Sequence, residues 1–154
     1  MSGLVYVVPA NIATVTAAKT LLQIKAGAST PLELIRAEVS NSTSEVSDTG
    51  EIQILEKTAA ATVTSFTPVP YNRGLGPTAK AVGGTTATGH TATAEGTDGD
   101  ILYNRGFNVL NGHVWLPTPK ERIVIDPGVI VALKSAITIT SVTLIALLVF
   151  EELG

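Results

Sequence analysis

The densest group of acidic side chains lies in EGTDGD, where Glu95, Asp98 and Asp100 offer hard oxygen ligands of the kind calcium takes. Calcium needs about six to eight oxygens, and the EF-hand spacing is missing, so the stretch reads instead as a hairpin turn with Asp98-Gly99 at its tip. The two histidines, His90 and His113, stand in separate strand-like segments and form no HExxH pair. Each reads as a solvent-facing strand residue. A serine nucleophile would need a GxSxG turn or a nearby base, and neither is present. In GLGPTAKAVGG, Lys80 lacks the preceding Gly and the following Ser or Thr that phosphate and magnesium chemistry demands. Glu151 and Glu152 are adjacent, so on a strand they point to opposite faces and make a charged stop rather than an acid/base pair. The expectation is a non-enzyme with no catalytic residues, no cofactor and no metal.

Binding chemistry has three candidates. Trp115, in HVWLPTP, offers an aromatic plane on which a sugar can stack, although burial in the core or at a subunit contact is the favoured reading. YNRG occurs twice, from Tyr71 and from Tyr103, so Arg73 and Arg105 could meet at one carboxylate or glycan site. The flanking sequences disagree, however, and Asn-Arg-Gly suits chain reversals, so the echo reads as turn chemistry rather than as a duplicated unit.

The elements that must carry these residues are strands. Apolar residues make up 45% of the 154, charged residues only 15%, and 21 threonines fill much of the difference. Threonine is β-branched and suits a half-buried pleated surface. A chain this long buries enough surface to need no staple, and with no cysteine it has no disulfide. A net charge of −3 without any basic cluster argues against nucleic acid as a partner. The start, MSGLVYVVPANIA, lacks a basic n-region, and VTLIALLVF is about half of what a membrane-spanning helix needs, so a soluble chain without a signal peptide is expected.

Strand signals recur as LVYVV (ending at Pro9), TLLQIKA, ELIRAEVS, EIQILEK, ATVTSF, TATAE, DILYN, HVWLP, ERIVID and VIVALK, each bounded by turn residues. In ELIRAEVS, alternation puts Leu34, Arg36 and Glu38 on one face and Ile35, Ala37 and Val39 on the other. This spacing predicts one all-β domain, an antiparallel sandwich or barrel. Residues 1–17 would be an N-terminal arm or first strand, residues 18–154 the β-domain, and residues 74–99 a long Gly-rich loop in which GPTAKAV could form one helical turn. Pro127-Gly128 suits the centre of a type II turn, which predicts a hairpin between ERIVID and VIVALK.

The last strand changes phase: apolar residues sit at odd positions from Ile137 and at even positions from Val142, which asks for a bulge near Thr140 or Ser141. Beyond it both faces are apolar. Ile145, Leu147 and Val149 accompany the even series, so their face must be covered by a second layer or by another subunit.

The string TATGHTATAEGTDGD, followed by GFNVLNGHVWLPTPKERIVIDPG, with TLLQIKA, ELIRAEVS and the terminal VFEELG, resembles small capsid decoration, or cement, proteins of tailed bacteriophages. The resemblance implies a jelly-roll-like β-sandwich that forms a homotrimer, is assembled in the host cytoplasm and sits on the virion surface. There it would bind the phage major capsid protein, with no catalytic residues. A tail-associated or carbohydrate-binding β-sandwich is the alternative, and it would use an exposed Trp115 or Tyr103.

Overall fold

The computed structural model describes residues 3–42, 47–74, 76–136, 139 and 142–154, with the backbone alone at 13 and 14. Among these residues there is no helix, and the strands in chain order are β1 (Leu4–Val15), β2 (Lys19–Lys25), β3 (Leu32–Asn41), β4 (Thr49–Ala59), β5 (Thr62–Ser65), β6 (Val69–Pro70), β7 (Gly89–Ala94), β8 (Thr97–Asn108), β9 (His113–Trp115), β10 (Ile123–Ile125), β11 (Ile130–Ser135) and β12 (Val142–Glu152). They form two six-stranded antiparallel sheets packed as a β-sandwich. Sheet A runs β10-β3-β12-β1-β6, with β9 also beside β3; sheet B runs β5-β7-β2-β11-β4-β8.

The phase of β12 explains the core. Val142, Leu144, Ala146, Leu148 and Phe150 are all buried, and Phe150 stacks on Tyr6 of β1 with ring centroids 5.8 Å apart. From sheet B, Leu22, Ile24, Ile52, Ile54, Val131 and Leu133 close the same cluster. Each such side chain contributes roughly 1.5–3 kcal/mol when fully buried.

Several expectations need correction. Strand β1 continues through Pro9 to Val15, because β6 pairs only with Tyr6 and Val7 and leaves Pro9 on a free edge, where a missing N–H costs no ladder bond. In β3 the alternation slips: Phe150 faces Leu34 while Val149 faces Arg36, so Ile35 is extra, and Leu34 joins Ala37 and Val39 inside. The Asp126–Val129 turn forms, with Gly128 at φ 79° and Val129 N–H donating to Asp126 O at 3.2 Å, but it carries the chain from sheet A to sheet B and makes no hairpin. GPTAKAV is not helical, and residues 89–94 of the expected loop are strand β7. Thr140 and Ser141 lie outside the described residues; among those described, β1 slips between Ile12 and Val15, opposite residues 142–144.

Sheet B is built from a ribbon. Residues 49–65 pair with 89–108 in one antiparallel run whose partners pass from β4 and β8 into β5 and β7. It bends sharply at Ala60–Ala61 and Glu95–Gly96, so that β4 flanks β11 while β7 flanks β2. Gly96 turns the corner at φ 68°, and a Cβ there would stand 2.4 Å from the Ala59 carbonyl oxygen. The second YNRG and Asp98-Gly99 therefore lie within β8 and not in turns, whereas the first YNRG is a turn with Gly74 at φ 93°. Strand β8 is the long edge strand, and bulges next to Ile101 and Leu102 break its regularity, which blunts an edge that would otherwise invite pairing.

Candidate functional site

On the outer face of sheet A, neighbours follow in rows across the strands. One row is Arg36, Val149, Val7 and Val69; the next is Val114, Glu38, Leu147 and Pro9; a third is Ser40, Ile145 and Asn11. The three residues expected at an interface fare differently. Ile145 is 41% exposed, Leu147 is half-buried, and Val149 is 3% exposed within the chain itself. Arg36 reaches over β12 from one side and Tyr71 over β1 from the other, and Arg36 Nη2 donates to the Tyr71 hydroxyl at 3.1 Å. This strap spans the Val149 row, so the uncovered apolar strip shrinks to Ile145, Leu147 and Pro9, with Val114 exposed at the edge.

The acidic stretch is an ion-pair clamp on the ribbon corner. Lys57, whose side chain has no exposed surface, donates to Asp98 Oδ1 at 2.7 Å and to the Glu95 carbonyl at 2.5 Å. Lys134 reaches Asp98 Oδ2 at 2.5 Å, and the Glu95 carboxylate accepts from the Thr20 N–H and hydroxyl. Burial pushes the Asp98 pKa up, but hydrogen bonds and charge from Lys134 and Lys57 outweigh it and hold the carboxyl below its ordinary value. Oxygens already committed to two ammonium groups are poor calcium ligands. Among the described residues, no group of three or more His, Asp or Glu is placed to hold a metal ion. Inside the corner, fully buried Gln23 donates to Ala61 O at 2.9 Å and accepts from Ala61 N at 3.0 Å, so its amide substitutes for a ladder pair.

Trp115 is 8% exposed, and its indole packs near Tyr103, with ring centroids 5.9 Å apart. It presents no free stacking face. Tyr103 stacks on His113 and hydrogen-bonds its Nε2 at 2.8 Å; the small space lined by Trp115, Tyr103 and His113 measures about 10 Å³, enough for one water at most. Burial first, and the Arg105 charge second, push the His113 pKa below its ordinary value. The unfolded ring titrates near about 6.5. As pH falls through that value the unfolded chain therefore takes up the proton first, and stability declines until the folded value is reached. We expect a plot of melting temperature against pH to fall below about pH 6.5 in the wild type and to be flatter in His113→Gln, which keeps an acceptor for Tyr103.

Arg73 and Arg105 do not share a site. Arg73 follows β6 at one edge of sheet A, whereas Arg105 lies on β8 beside His113 of β9, at the opposite side of the sandwich. His90 hydrogen-bonds its neighbour Thr91 at 2.9 Å. Glu151 accepts from the Gly3 N–H, and Glu152 is no charged stop: it is 7% exposed, and its Oε1 accepts from Lys80 N at 2.7 Å and Ala81 N at 2.9 Å. Sequence reasoning missed Gln23, Lys57 and Arg36; of these only Gln23, a polar residue inside the apolar run LLQI, carried a signal.

Comparison of the chain with protein families, curated proteins and solved structures finds no match in any of the three.

Proposed function

We propose that the chain is a non-catalytic structural protein of the capsid-decoration kind, a trimeric coat subunit that binds the phage major capsid protein at the virion surface. The observation that carries self-association is the strip of Ile145, Leu147 and Pro9 on the outer face of sheet A: apolar and exposed at Ile145 and Pro9. The strand order lends support to a jelly roll. With β9 and β10 taken as one edge, β10-β3-β12-β1 faces β2-β11-β4-β8, the arrangement two Greek keys give when rolled together, and β5, β6 and β7 extend the connection between β4 and β8. Jelly rolls also serve as lectins, so the fold leaves function open. The resemblance read in the sequence favours a coat role, and multivalent attachment would make modest single contacts durable.

The test is solution mass by light scattering. A mass near three times 15.9 kDa is expected for the wild type, with Ile145→Asp and Leu147→Asp both giving folded monomers. A wild-type monomer overturns the reading, and so does an unchanged mass in both variants.

A further inference from the structure

Where β1, the end of β12 and the segment after β6 come together, a groove of about 380 Å³ opens, with Leu4, Tyr6, Pro77, Thr78, Lys80 and Glu152 among its walls. That volume lies within the range of small-ligand pockets. Its buried wall is built around Glu152. One oxygen, Oε1, is fully engaged by the Lys80 and Ala81 N–H groups. The other, Oε2, accepts no hydrogen bond among the described residues, yet it is not among the sealed, partnerless buried atoms. An oxygen without a protein partner and still touched by solvent, on a side chain 7% exposed, opens into the space that side chain lines.

Two fixed features define what would fill it. The carboxylate is held in place from behind by two backbone donors, so its free oxygen is a pre-oriented acceptor that needs no reorganisation on binding. Exposed Leu4 and Pro77 supply an apolar wall beside it, and fully buried Tyr6 fixes that wall from behind, its hydroxyl donating to Pro77 O at 3.1 Å. We propose that this groove binds an ammonium or guanidinium group carried on a short apolar stem, with the cation on Glu152 Oε2 and the stem against Leu4 and Pro77. Charge-assisted hydrogen bonds of this kind are stronger than neutral ones. Exposed Lys80, at the rim, carries the same charge as the ligand and acts as its competitor. The inference stands apart from the coat reading and needs neither a capsid nor a particular oligomeric state.

The probes are n-butylammonium and n-butylguanidinium, with butyrate and n-butanol as controls, titrated into the full chain and followed by amide chemical shifts. Shifts at Tyr6, Lys80, Ala81 and Glu152 are expected for the two cations and not for the controls. Glu152→Gln keeps an oxygen for the Lys80 and Ala81 N–H groups but turns a donor into the groove, so it should weaken the cations by about tenfold or more while leaving the spectrum folded. Lys80→Ala should tighten them. Equal binding of butanol and butylammonium, undiminished binding in Glu152→Gln, or no saturable shift at Tyr6 and Glu152 with either the small cations or a lysine- or arginine-containing peptide overturns the proposal. A requirement for Lys80 overturns it in favour of a zwitterion. If the small cations saturate the site, a free metabolite suffices as ligand; if only a lysine- or arginine-containing peptide does, the cation belongs to a partner chain.

Discussion

Replacing Gln23 with leucine should cost about 3 kcal/mol, although the new side chain is similar in size and more apolar. The reason lies at the ribbon corner. Ala61 is fully buried, and its N–H and C=O have the Gln23 amide as their partner. A leucine leaves both groups without one, at roughly 1–3 kcal/mol each. In a domain of this size, 3 kcal/mol lowers the melting temperature by roughly 10 °C. Gln23→Glu separates geometry from size: it keeps an acceptor for the Ala61 N–H but sets a second oxygen against the Ala61 carbonyl, so it should be at least as damaging at neutral pH and partly recover in acid. Urea midpoints for both variants at two pH values check this. A Gln23→Leu protein as stable as the wild type would mean that the corner is held by its strands alone.

Lys57→Met should cost about 2 kcal/mol at neutral pH. A completely buried pair broken on one side typically costs about 3–5 kcal/mol, but here Asp98 is partly exposed and keeps Lys134. The pH dependence gives the sharper signature. Because the Asp98 carboxyl is held below its ordinary value, its contribution is present above the unfolded value of about 3.9 and is lost as pH falls through the lower folded one. The deficit of Lys57→Met relative to wild type should therefore narrow in acid, and in the Asp98→Asn background it should shrink at every pH. A deficit that stays constant with pH would assign Lys57 a packing role instead.

Much of the architecture was legible because it rests on period-two alternation. The even series of β12 was set apart from the odd one by pattern alone, and the structure buries it in the core. What pattern cannot show is where a strand slips or bends. Ile35 is one residue too many in β3, and from there alternation assigns Leu34 to the wrong neighbours. Asp98-Gly99 has the chemistry of a turn, yet it lies inside β8 because the neighbouring pair, Glu95-Gly96, makes the bend and Lys57 draws Asp98 into the ladder. Propensity is local, whereas the lysine that decides the matter is 41 residues away.

The same holds for the candidate surfaces. The second apolar face of β12 was visible in the sequence, but not that Arg36 and Tyr71 from two other elements would meet above Val149. Glu152 looked like a terminal charge, and only the return of the 76–88 segment past the end of β12 gives its carboxylate backbone donors.

Strand β12 comes last in chain order, yet it occupies the middle of sheet A between β1 and β3. On the ribosome both of those strands must therefore emerge, and wait, with one edge open. Each carries an apolar inner face that has no sheet to rest in until β12 is made. Folding of sheet A is thus a closing event that waits for β12, and it joins residues far apart in sequence, which is slow. During that wait the nascent chain is most exposed to pairing with a neighbour's unfinished edge. A protein made in many copies at once would meet that hazard most often, which gives the bulge in β3 a second use: it makes that waiting edge a poor template for anything but β12.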